Sequence, residues 1–172
     1  MQLEARRRRD DLDTQIEQIA QDPLFAHTVH RLRAIRGIST LTALALCVEI
    51  GDWHRFTGST IGAFLGLVPS ESSSGERISR GRITKTGNGH ARRLLVEAAW
   101  QQRRPLRLSR QLMTRREGLD PQIIDRAERC QTRLHRRWQR LETQRGKRST
   151  LVAVAVAREL SGWCWSIATM PT

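Results

Sequence analysis

Apolar positions recur at helical spacing in the first part of the chain. Leu3, Leu12, Ile16 and Ile19 stand among charged residues at the intervals of one helix face, which predicts a polar helix. An Asp-Pro pair ends it, because proline cannot continue a helix. Further along, two short apolar runs are separated by a glycine-containing turn. The pattern therefore predicts three helices here, over residues 2–20, 24–34 and 40–50.

The remainder of the chain divides into an aperiodic stretch and a helical end. Residues 67–88 are rich in serine and glycine, so we expect an irregular serine/glycine loop there. Asn88 and Ser149 are each placed to cap a helix, and the first of these helices has one apolar face made by Leu94, Leu95, Ala98 and Ala99. Helices are predicted over residues 89–104, 121–146 and 150–168, with a short one over 60–65. The predicted fold class is all-α.

Charge adds a partner to this picture. The formal net charge is +13 and the isoelectric point is about 11.5. Such an excess attracts polyanions regardless of sequence, and nucleic acid is the first partner to consider. Nearly all of the basic residues are arginines, which suit bidentate phosphate contacts better than lysines do. In the alternative, the arginines only keep helix faces solvated.

The cysteines and the apolar stretches bear on the compartment. The 3 cysteines are widely spaced, without a CxxC pair, so they suggest neither a disulfide framework nor a zinc site and fit a reducing cytoplasm. The charged N-terminal residues are not followed by the apolar run of a secretory signal. Residues 151–168 are the most apolar stretch, but Arg158 and Glu159 at its centre favour a buried helix over a membrane span.

A first candidate site is the turn that contains Arg36-Gly37-Ile38-Ser39-Thr40. A helix followed by a tight glycine turn and a second helix resembles the helix-hairpin-helix module, which presents backbone N–H groups to a phosphate. Arg36, Gly37, Ser39 and Thr40 are therefore candidate nucleic-acid-binding residues. Ser39 stands where a second glycine is usual, and the alternative is an ordinary helical hairpin with Ser39 or Thr40 as the N-cap.

A second candidate site is Ser74, next to Gly75. Glycine lets the backbone bend and bring the serine hydroxyl close to a ligand. Basic side chains surround the pair along the chain, which suits stabilisation of a phosphodiester, and they are Arg77, Arg80, Arg82, Lys85, Arg92 and Arg93. No base is adjacent to the serine, and Glu71, Glu76 and His90 are the candidates by proximity. From these residues alone a flexible linker is the stronger interpretation.

The order of several motifs resembles one family. Gly66-Leu67-Val68-Pro69 precedes the serine-glycine pair, and Ile83-Thr84-Lys85-Thr86-Gly87-Asn88 precedes a helix with paired arginines. Upstream, residues 49–56 resemble an E-x-G-D…R-F stretch. Together with the hairpin and the basic C-terminal helices, these motifs resemble the C-terminal domain of the IS-one-ten type insertion-sequence transposases, which are bridge-RNA-guided serine recombinases. The resemblance covers about residues 30 to 165.

The resemblance implies that a serine of this domain becomes covalently joined to a DNA phosphate. On the matching position that serine is Ser74, with Ser73 as the fallback if the alignment shifts by one residue. The side chains around it are expected to hold DNA or guide RNA, an assignment that rests on charge and proximity for Arg77, Arg82, Lys85, Asn88, Arg92 and Arg93.

The resemblance also implies an N-terminal RuvC-like domain whose four acidic residues hold divalent metal such as Mg²⁺. The carboxylates near the start of this chain are interpreted instead as a solvated helix face, and they are Asp10, Asp11, Asp13 and Glu17. We therefore expect no metal or other cofactor held by this chain alone, and a RuvC-like partner in trans. Residues 1–29 are interpreted as a helical linker remnant and 30–172 as the transposase domain, with the hairpin at about 28–50, the serine loop at 67–88 and C-terminal helices at 89–168.

The functional expectation is DNA transposition by site-specific recombination in the bacterial cytoplasm, with DNA and guide RNA as partners, no membrane, and a homo-oligomer left open. Whether the chain is an enzyme by itself is left open too. The alternative is a non-catalytic nucleic-acid-binding module or a truncated transposase relic. An RNA-binding structural protein is a third class, and it predicts tight RNA binding with no dependence on Ser74.

Overall fold

Helices make up most of this protein, and the predicted all-α fold class is confirmed. The computed structural model describes residues 2–74 and 77–171, and the side chains of residue 2 and of residues 72–80 lie outside that description. Within it, the α-helices in chain order are α1 Gln2–Ala20, α2 Ala26–Leu32, α3 Thr40–Ile50, α4 Ile61–Phe64, α5 Gly89–Trp100, α6 Arg110–Arg116, α7 Pro121–Gln139 and α8 Ser149–Ala168. Two strands, β1 Pro69–Ser74 and β2 Arg77–Ile83, lie between α4 and α5.

Helix α8 lies at the centre of the fold, where it packs against α2, α4, α5 and α7. Its apolar residues recur at helical spacing, and those at Val152, Val156, Leu160, Cys164 and Ile167 are almost fully buried. By length and composition α8 would also pass as a membrane span, but half of that stretch is buried inside the fold. The burial identifies α8 as the core helix, as the mid-helix charges predicted.

Two buried arginines tie distant parts of the chain together. Arg31 on α2 donates to the carbonyl oxygens of Met170 and Pro171, the latter at 3.0 Å. Arg116 on α6 donates to the Ala34 carbonyl at 3.1 Å and pairs with Glu128 on α7 at 3.1 Å. Burying a guanidinium is costly unless its N–H groups find partners, and these contacts hold residues 170–171 and α6 against the α2–α3 region.

Helix α7 begins at Pro121 as predicted but ends earlier, at Gln139, where a π-helical segment Arg140–Gln144 follows. Glu142 in that segment accepts hydrogen bonds from Trp138 Nε1 at 2.8 Å and Ser149 Oγ at 2.6 Å, and from Arg103 Nε at 3.1 Å. The prediction that Ser149 caps α8 is wrong. The Ser149 hydroxyl donates its hydrogen bond to Glu142. The N-cap is Arg148, which makes no side-chain capping hydrogen bond.

The segment expected to be irregular contains an antiparallel two-stranded hairpin, so that expectation is corrected. β1 pairs with β2 from Pro69 opposite Ile83 to Ser74 opposite Arg77, with an irregularity between Pro69 and Glu71. Beyond β2, the Thr84 N–H bonds the Val68 carbonyl at 2.9 Å. The sequence did not indicate strands here because serines and arginines give no alternation of apolar and polar positions.

Candidate functional site: the serine hairpin and the arginine groove

The base of the β-hairpin is locked by two glycines on opposite chain segments. Gly66 and Gly87 have φ of +64° and +82°. A Cβ on Gly66 would come within 3.0 Å of the Thr86 backbone, and a Cβ on Gly87 would come within 3.0 Å of the Phe64 carbonyl. Each segment therefore lies against the backbone of the other, and only glycine fits at either contact. The glycines of the two quoted motifs hold the serine-bearing strand to the helical body.

A carboxylate joins this base to the end of α3. Glu49 accepts a hydrogen bond from Asn88 Nδ2 at 2.5 Å, and its other oxygen lies 2.7 Å from His90 Nδ1. Asn88 also caps α5 as predicted, since its Oδ1 accepts from the Ala91 N–H at 2.9 Å. The hydrogen bond from Asn88, and then that from His90, lower the pKa of Glu49 below its ordinary value.

The proposed nucleophile is the last residue of β1. Ser74 pairs in register with Arg77, and Ser73 with Ile78. The side chains of these residues, including the Arg77 guanidinium, lie outside the described part of the structure, as do Gly75 and Glu76 entirely. The assignment of Ser74, with Ser73 as the fallback, stays a prediction, as does a binding role for Arg77.

The other basic residues predicted around the serine differ in their engagement. Arg92 donates to the Leu65 carbonyl at 2.9 Å and to that of Thr86 at 3.4 Å, so it supports the base of the hairpin. Arg93 is exposed and lies 3.9 Å from Glu97 one turn away. Arg82 and Lys85 are exposed, and Lys85 has a φ of +56°. Arg82, Lys85 and Arg93 are therefore accessible to a ligand, whereas the Arg92 guanidinium is largely occupied by backbone carbonyls.

The α2–α3 turn contains Gly37 and leads into a helix capped by Ser39, as in an ordinary helical hairpin, and a helix-hairpin-helix phosphate site there stays a prediction. Ser39 is the N-cap of α3 and accepts from the Thr42 N–H at 3.2 Å, while Thr40 is buried. Gly37 has a φ of +88°, and a Cβ there would lie 2.6 Å from the Ala98 carbonyl of α5. The turn is therefore pressed onto α5, and its glycine is required by packing whether or not it also binds a phosphate.

Arg36 fixes a loop that the sequence did not connect with this turn. Its guanidinium donates to the carbonyl oxygens of Arg104 at 3.2 Å and Pro105 at 2.8 Å, and to that of Arg107. Gln102 Nε2 returns a bond to the Arg36 carbonyl at 2.8 Å. Arg36 thus acts as a clamp between the turn and residues 104–107, and a direct phosphate contact by it stays a prediction.

An open groove of about 720 Å³ lies between the α2–α3 turn and residues 104–115. We call it the arginine groove, after the four arginines that line it beside Gly37 and Ser39: Arg36, Arg104, Arg107 and Arg115. No sequence motif indicated Arg104, Arg107 and Arg115 as site residues. The signal available was the concentration of arginines around Pro105, but only the fold brings that segment beside the α2–α3 turn.

The E-x-G-D…R-F stretch, residues 49–56, stabilises the end of α3 next to the base of the β-hairpin. Asp52 caps a short 3₁₀ turn by accepting from the His54 N–H at 2.8 Å. Arg55 donates to the Ile50 carbonyl at 3.1 Å and stacks over Phe56, with 4.7 Å between guanidinium carbon and ring centroid. Together with Glu49, these residues order the end of α3 beneath the hairpin.

The cysteines and tryptophans contribute to the core. Burial raises the pKa of Cys47 and Cys164 to about 12 and that of Cys130 well above its ordinary value, so none carries a thiolate near neutral pH. Trp53 and Trp138 are buried, as expected of core anchors. Over the ranges 2–74 and 77–171, no three histidine, cysteine, aspartate or glutamate side chains that the structure describes come together as metal ligands.

Comparison with known proteins supports the resemblance found in the motifs. The sequence model of the Transposase IS116/IS110/IS902 family matches residues 29–112. The chain is 41% identical over 158 residues to the putative transposase y4qE of Sinorhizobium fredii, covering 91% of this chain and 40% of that protein. It is 31% identical over 143 residues to the transposase for insertion sequence element IS1533 of Leptospira borgpetersenii, covering 79% of this chain and 40% of that protein.

A third relative, the transposase for insertion sequence element IS1328 of Yersinia enterocolitica, is 32% identical over 146 residues, covering 84% of this chain and 37% of that protein. The chain thus spans about two-fifths of the length of these curated relatives. The family match begins just before the α2–α3 turn and runs through the serine hairpin to α6. This chain belongs to the IS116/IS110/IS902 family of transposases.

Proposed function

We propose that this chain takes part in DNA transposition by site-specific recombination and supplies the serine nucleophile of a composite active site. The observation that carries the proposal is the hairpin base, where the paired glycines of the two family motifs fix the strand that ends in Ser73 and Ser74. Backbone-to-backbone contact at the base anchors the strand to the helical body, and attack on a phosphodiester requires a nucleophile carried on an anchored element.

The chemistry proposed is a transesterification. The Ser74 Oγ attacks the phosphorus of a DNA phosphodiester, the new Oγ–P bond replaces the bond to one deoxyribose oxygen, and the released strand leaves as a hydroxyl. The serine proton passes to a base, and the leaving oxygen takes up a proton. Attack by another strand's hydroxyl reverses these steps and frees the serine. No oxidant or reductant is consumed.

Of the three base candidates, His90 lies beside a carboxylate that can orient its ring. Glu49 faces its Nδ1 at 2.7 Å, so in the neutral ring with a proton on that nitrogen Nε2 is left with its lone pair. The imidazole is about half exposed, with 47% of its side chain accessible. A carboxylate that orients a histidine in this way is a recurrent arrangement for proton transfer. The Glu49–His90 pair lies at the base of the hairpin, whereas Ser74 is the last residue of β1, roughly 16 Å further along at about 3.3 Å per residue. Proton transfer needs hydrogen-bond reach, so His90 can act on the Ser74 hydroxyl only through a rearranged hairpin, and the base for Ser74 stays unassigned.

The composite site requires a second domain. Divalent metal, when bound, neutralises charge developing on the transferred phosphoryl oxygens. As the family resemblance implies, we assign metal binding to a RuvC-like partner domain acting in trans or in the same longer protein. Guide RNA is proposed as a further partner, a homo-oligomer is compatible with this arrangement, and the place of action is the bacterial cytoplasm, at the nucleoid when DNA is bound.

The test is capture of the covalent intermediate. The chain is combined with a matching RuvC-like domain, guide RNA and target DNA, and protein–DNA adducts are separated under denaturing conditions. An adduct is expected with the wild type and absent in Ser74→Ala. Loss in Ser73→Ala instead would move the assignment by one residue. An adduct that persists in both variants would refute a nucleophilic role for this hairpin.

The second candidate is a non-catalytic nucleic-acid-binding module. It is favoured by one observation: the arginine groove is lined by four arginines from segments other than the serine hairpin, so nucleic acid could bind there without the serine. In that case nucleic acid binds equally well to the wild type and to Ser74→Ala, and no adduct forms with any partner domain.

A further inference from the structure

The arginine groove contains positive charge that the fold does not neutralise. Among the described residues that line it there is no carboxylate. Glu17 of α1 attracts Arg115 from outside the groove, but the other charges that act on the groove arginines from nearby are positive ones, such as Arg33 on Arg115. Close like charges raise the free energy of the empty groove, and a bound anion would lower it.

The four groove arginines divide into two that build the groove and two that are free. Arg36 is engaged with the carbonyl oxygens of residues 104–107, and Arg115 donates to the Ile38 carbonyl at 3.2 Å. The side chains of Arg104 and Arg107 are exposed and hold no hydrogen bond or ion pair within the described part of the chain. The loop that carries them is therefore rigidly attached, while their guanidinium groups remain available.

Nearby positive charges affect the Arg36 guanidinium. Burial lowers the pKa of Arg36, and the positive charges of Arg104 and then Arg116 lower it further. A free charged loop would swing its arginines apart to relieve this repulsion. The clamp keeps the backbone of residues 104–107 beside Arg36, so an anion that binds between Arg36 and Arg104 lowers the repulsion between their charges.

The lining chemistry selects the kind of anion. The described lining contains arginines, serines, glutamines and small apolar residues but no aromatic side chain, so it offers no platform for stacking unpaired bases. Guanidinium forks match phosphate oxygens, and a groove open to solvent can receive a nucleic-acid backbone. These features fit the backbone of a duplex, which is contacted without regard to sequence.

We propose that the arginine groove binds the phosphate backbone of duplex DNA through Arg104 and Arg107, on a scaffold that Arg36 and Arg115 hold in place. The inference rests on the proposed function for its choice of DNA, and it deepens that function by adding a second wall, residues 104–115, to the α2–α3 turn. The groove positions the duplex, and the serine hairpin performs the chemistry.

The experiment measures the salt dependence of duplex binding by the full chain, using fluorescence anisotropy with a labelled mixed-sequence DNA duplex. Arg104→Gln/Arg107→Gln is compared with the wild type and with Arg136→Gln/Arg140→Gln, which removes the same charge from exposed positions on α7 and its π-helical continuation. Each lost phosphate contact lowers the slope of log K against log salt by about 0.9. Thermal unfolding of each variant checks that the fold is kept.

For the groove variant we expect a slope smaller by about 1.8, so that the wild type loses roughly tenfold more affinity than the variant between about 50 and about 200 mM salt. The α7 control is expected to keep most of the wild-type slope. Arg104→Lys/Arg107→Lys retains the charge and should restore the slope. An equal reduction in the groove variant and the α7 control would overturn the inference, since net charge would then explain the binding.

Two other outcomes would also overturn it. One is an unchanged slope in the groove variant, and the other is a loss confined to an RNA duplex while DNA binding is kept. The adduct assay separates this inference from the proposed function. A Ser74 adduct together with an unchanged slope in the groove variant would refute DNA binding by the groove and support the serine chemistry. A reduced slope without any adduct would support DNA binding by the groove and refute the serine chemistry.

Discussion

Replacing Gly87 with alanine tests the backbone lock at the base of the serine hairpin. Gly118 provides a matched control, because its φ of +75° is close to the +82° of Gly87 and an added Cβ there would meet nothing within 4 Å. A side chain at such a φ costs about 1–2 kcal/mol in either variant. Only Gly87→Ala must also displace the Phe64 carbonyl, and relieving an overpacked contact costs a further ~1–3 kcal/mol.

Gly118→Ala should therefore lower the free energy of unfolding by about 1–2 kcal/mol and Gly87→Ala by about 2–5 kcal/mol. For a chain of this size, each kcal/mol corresponds to a fall in Tm of roughly 2–4 °C. Urea unfolding followed by tryptophan fluorescence, to which the buried Trp138 contributes, gives the free energy of unfolding of both variants. Equal destabilisation by the two substitutions would refute the lock, because the clash with Phe64 would then contribute nothing. Gly66→Ala, which meets the Thr86 backbone, should behave like Gly87→Ala.

Two further predictions concern the contacts beside the sites. Hydrogen bonds from Asn88 and then His90 lower the pKa of Glu49, so its carboxylate stabilises the fold above the ordinary pKa and loses that effect as the pH falls through the lowered pKa. The difference in stability between the wild type and Glu49→Gln should therefore be largest near neutral pH and disappear in acid. Urea midpoints that differ by the same amount at every pH would contradict this. Arg36→Gln removes the clamp on residues 104–107. Because a hydrogen bond from a charged group contributes about 1.5–3 kcal/mol, trypsin should cut the variant after Arg107 at least roughly tenfold faster than the wild type. The same acceleration in Arg93→Gln would show that charge removal, and not loss of the clamp, is responsible.

The helices followed from the sequence because their signals are local. The bounds expected for α1 and α3 match the structure, and Asn88 caps α5 through the predicted side-chain contact. Periodic apolar positions and capping residues act within one or two turns, so they can be recognised without knowledge of the fold. The same logic failed at Ser149, whose hydroxyl is directed to Glu142 by the π-helical segment and so is not available as a cap.

The candidate sites were only partly predictable, because their geometry depends on contacts between distant segments. The strands around the serines have no apolar alternation, and the Gly66–Gly87 lock that holds them joins residues about 20 positions apart. Both glycines stand in the quoted motifs, but the close approach of backbone to backbone that requires them is visible only in the structure. The arginine groove is similar, since its two walls are far apart in sequence and only packing on α5 brings them together.

The high arginine content has two physical uses in this protein, and net charge alone does not separate them. Arg31, Arg36, Arg55 and Arg92 each donate to backbone carbonyls at the end of a helix or in a loop. One guanidinium can serve two or three carbonyls at once because its donors form a rigid planar fork, whereas a lysine ammonium presents a point charge on a flexible stem. The scaffold arginines therefore could not be exchanged for lysines at the same net charge. An arginine with free donors, such as Arg104 or Arg107, retains most of its phosphate attraction as lysine, since salt-dependent binding follows charge. Arginine-to-lysine exchange thus divides the basic residues by role: stability should fall at the carbonyl clamps, and the salt slope should change little at the groove.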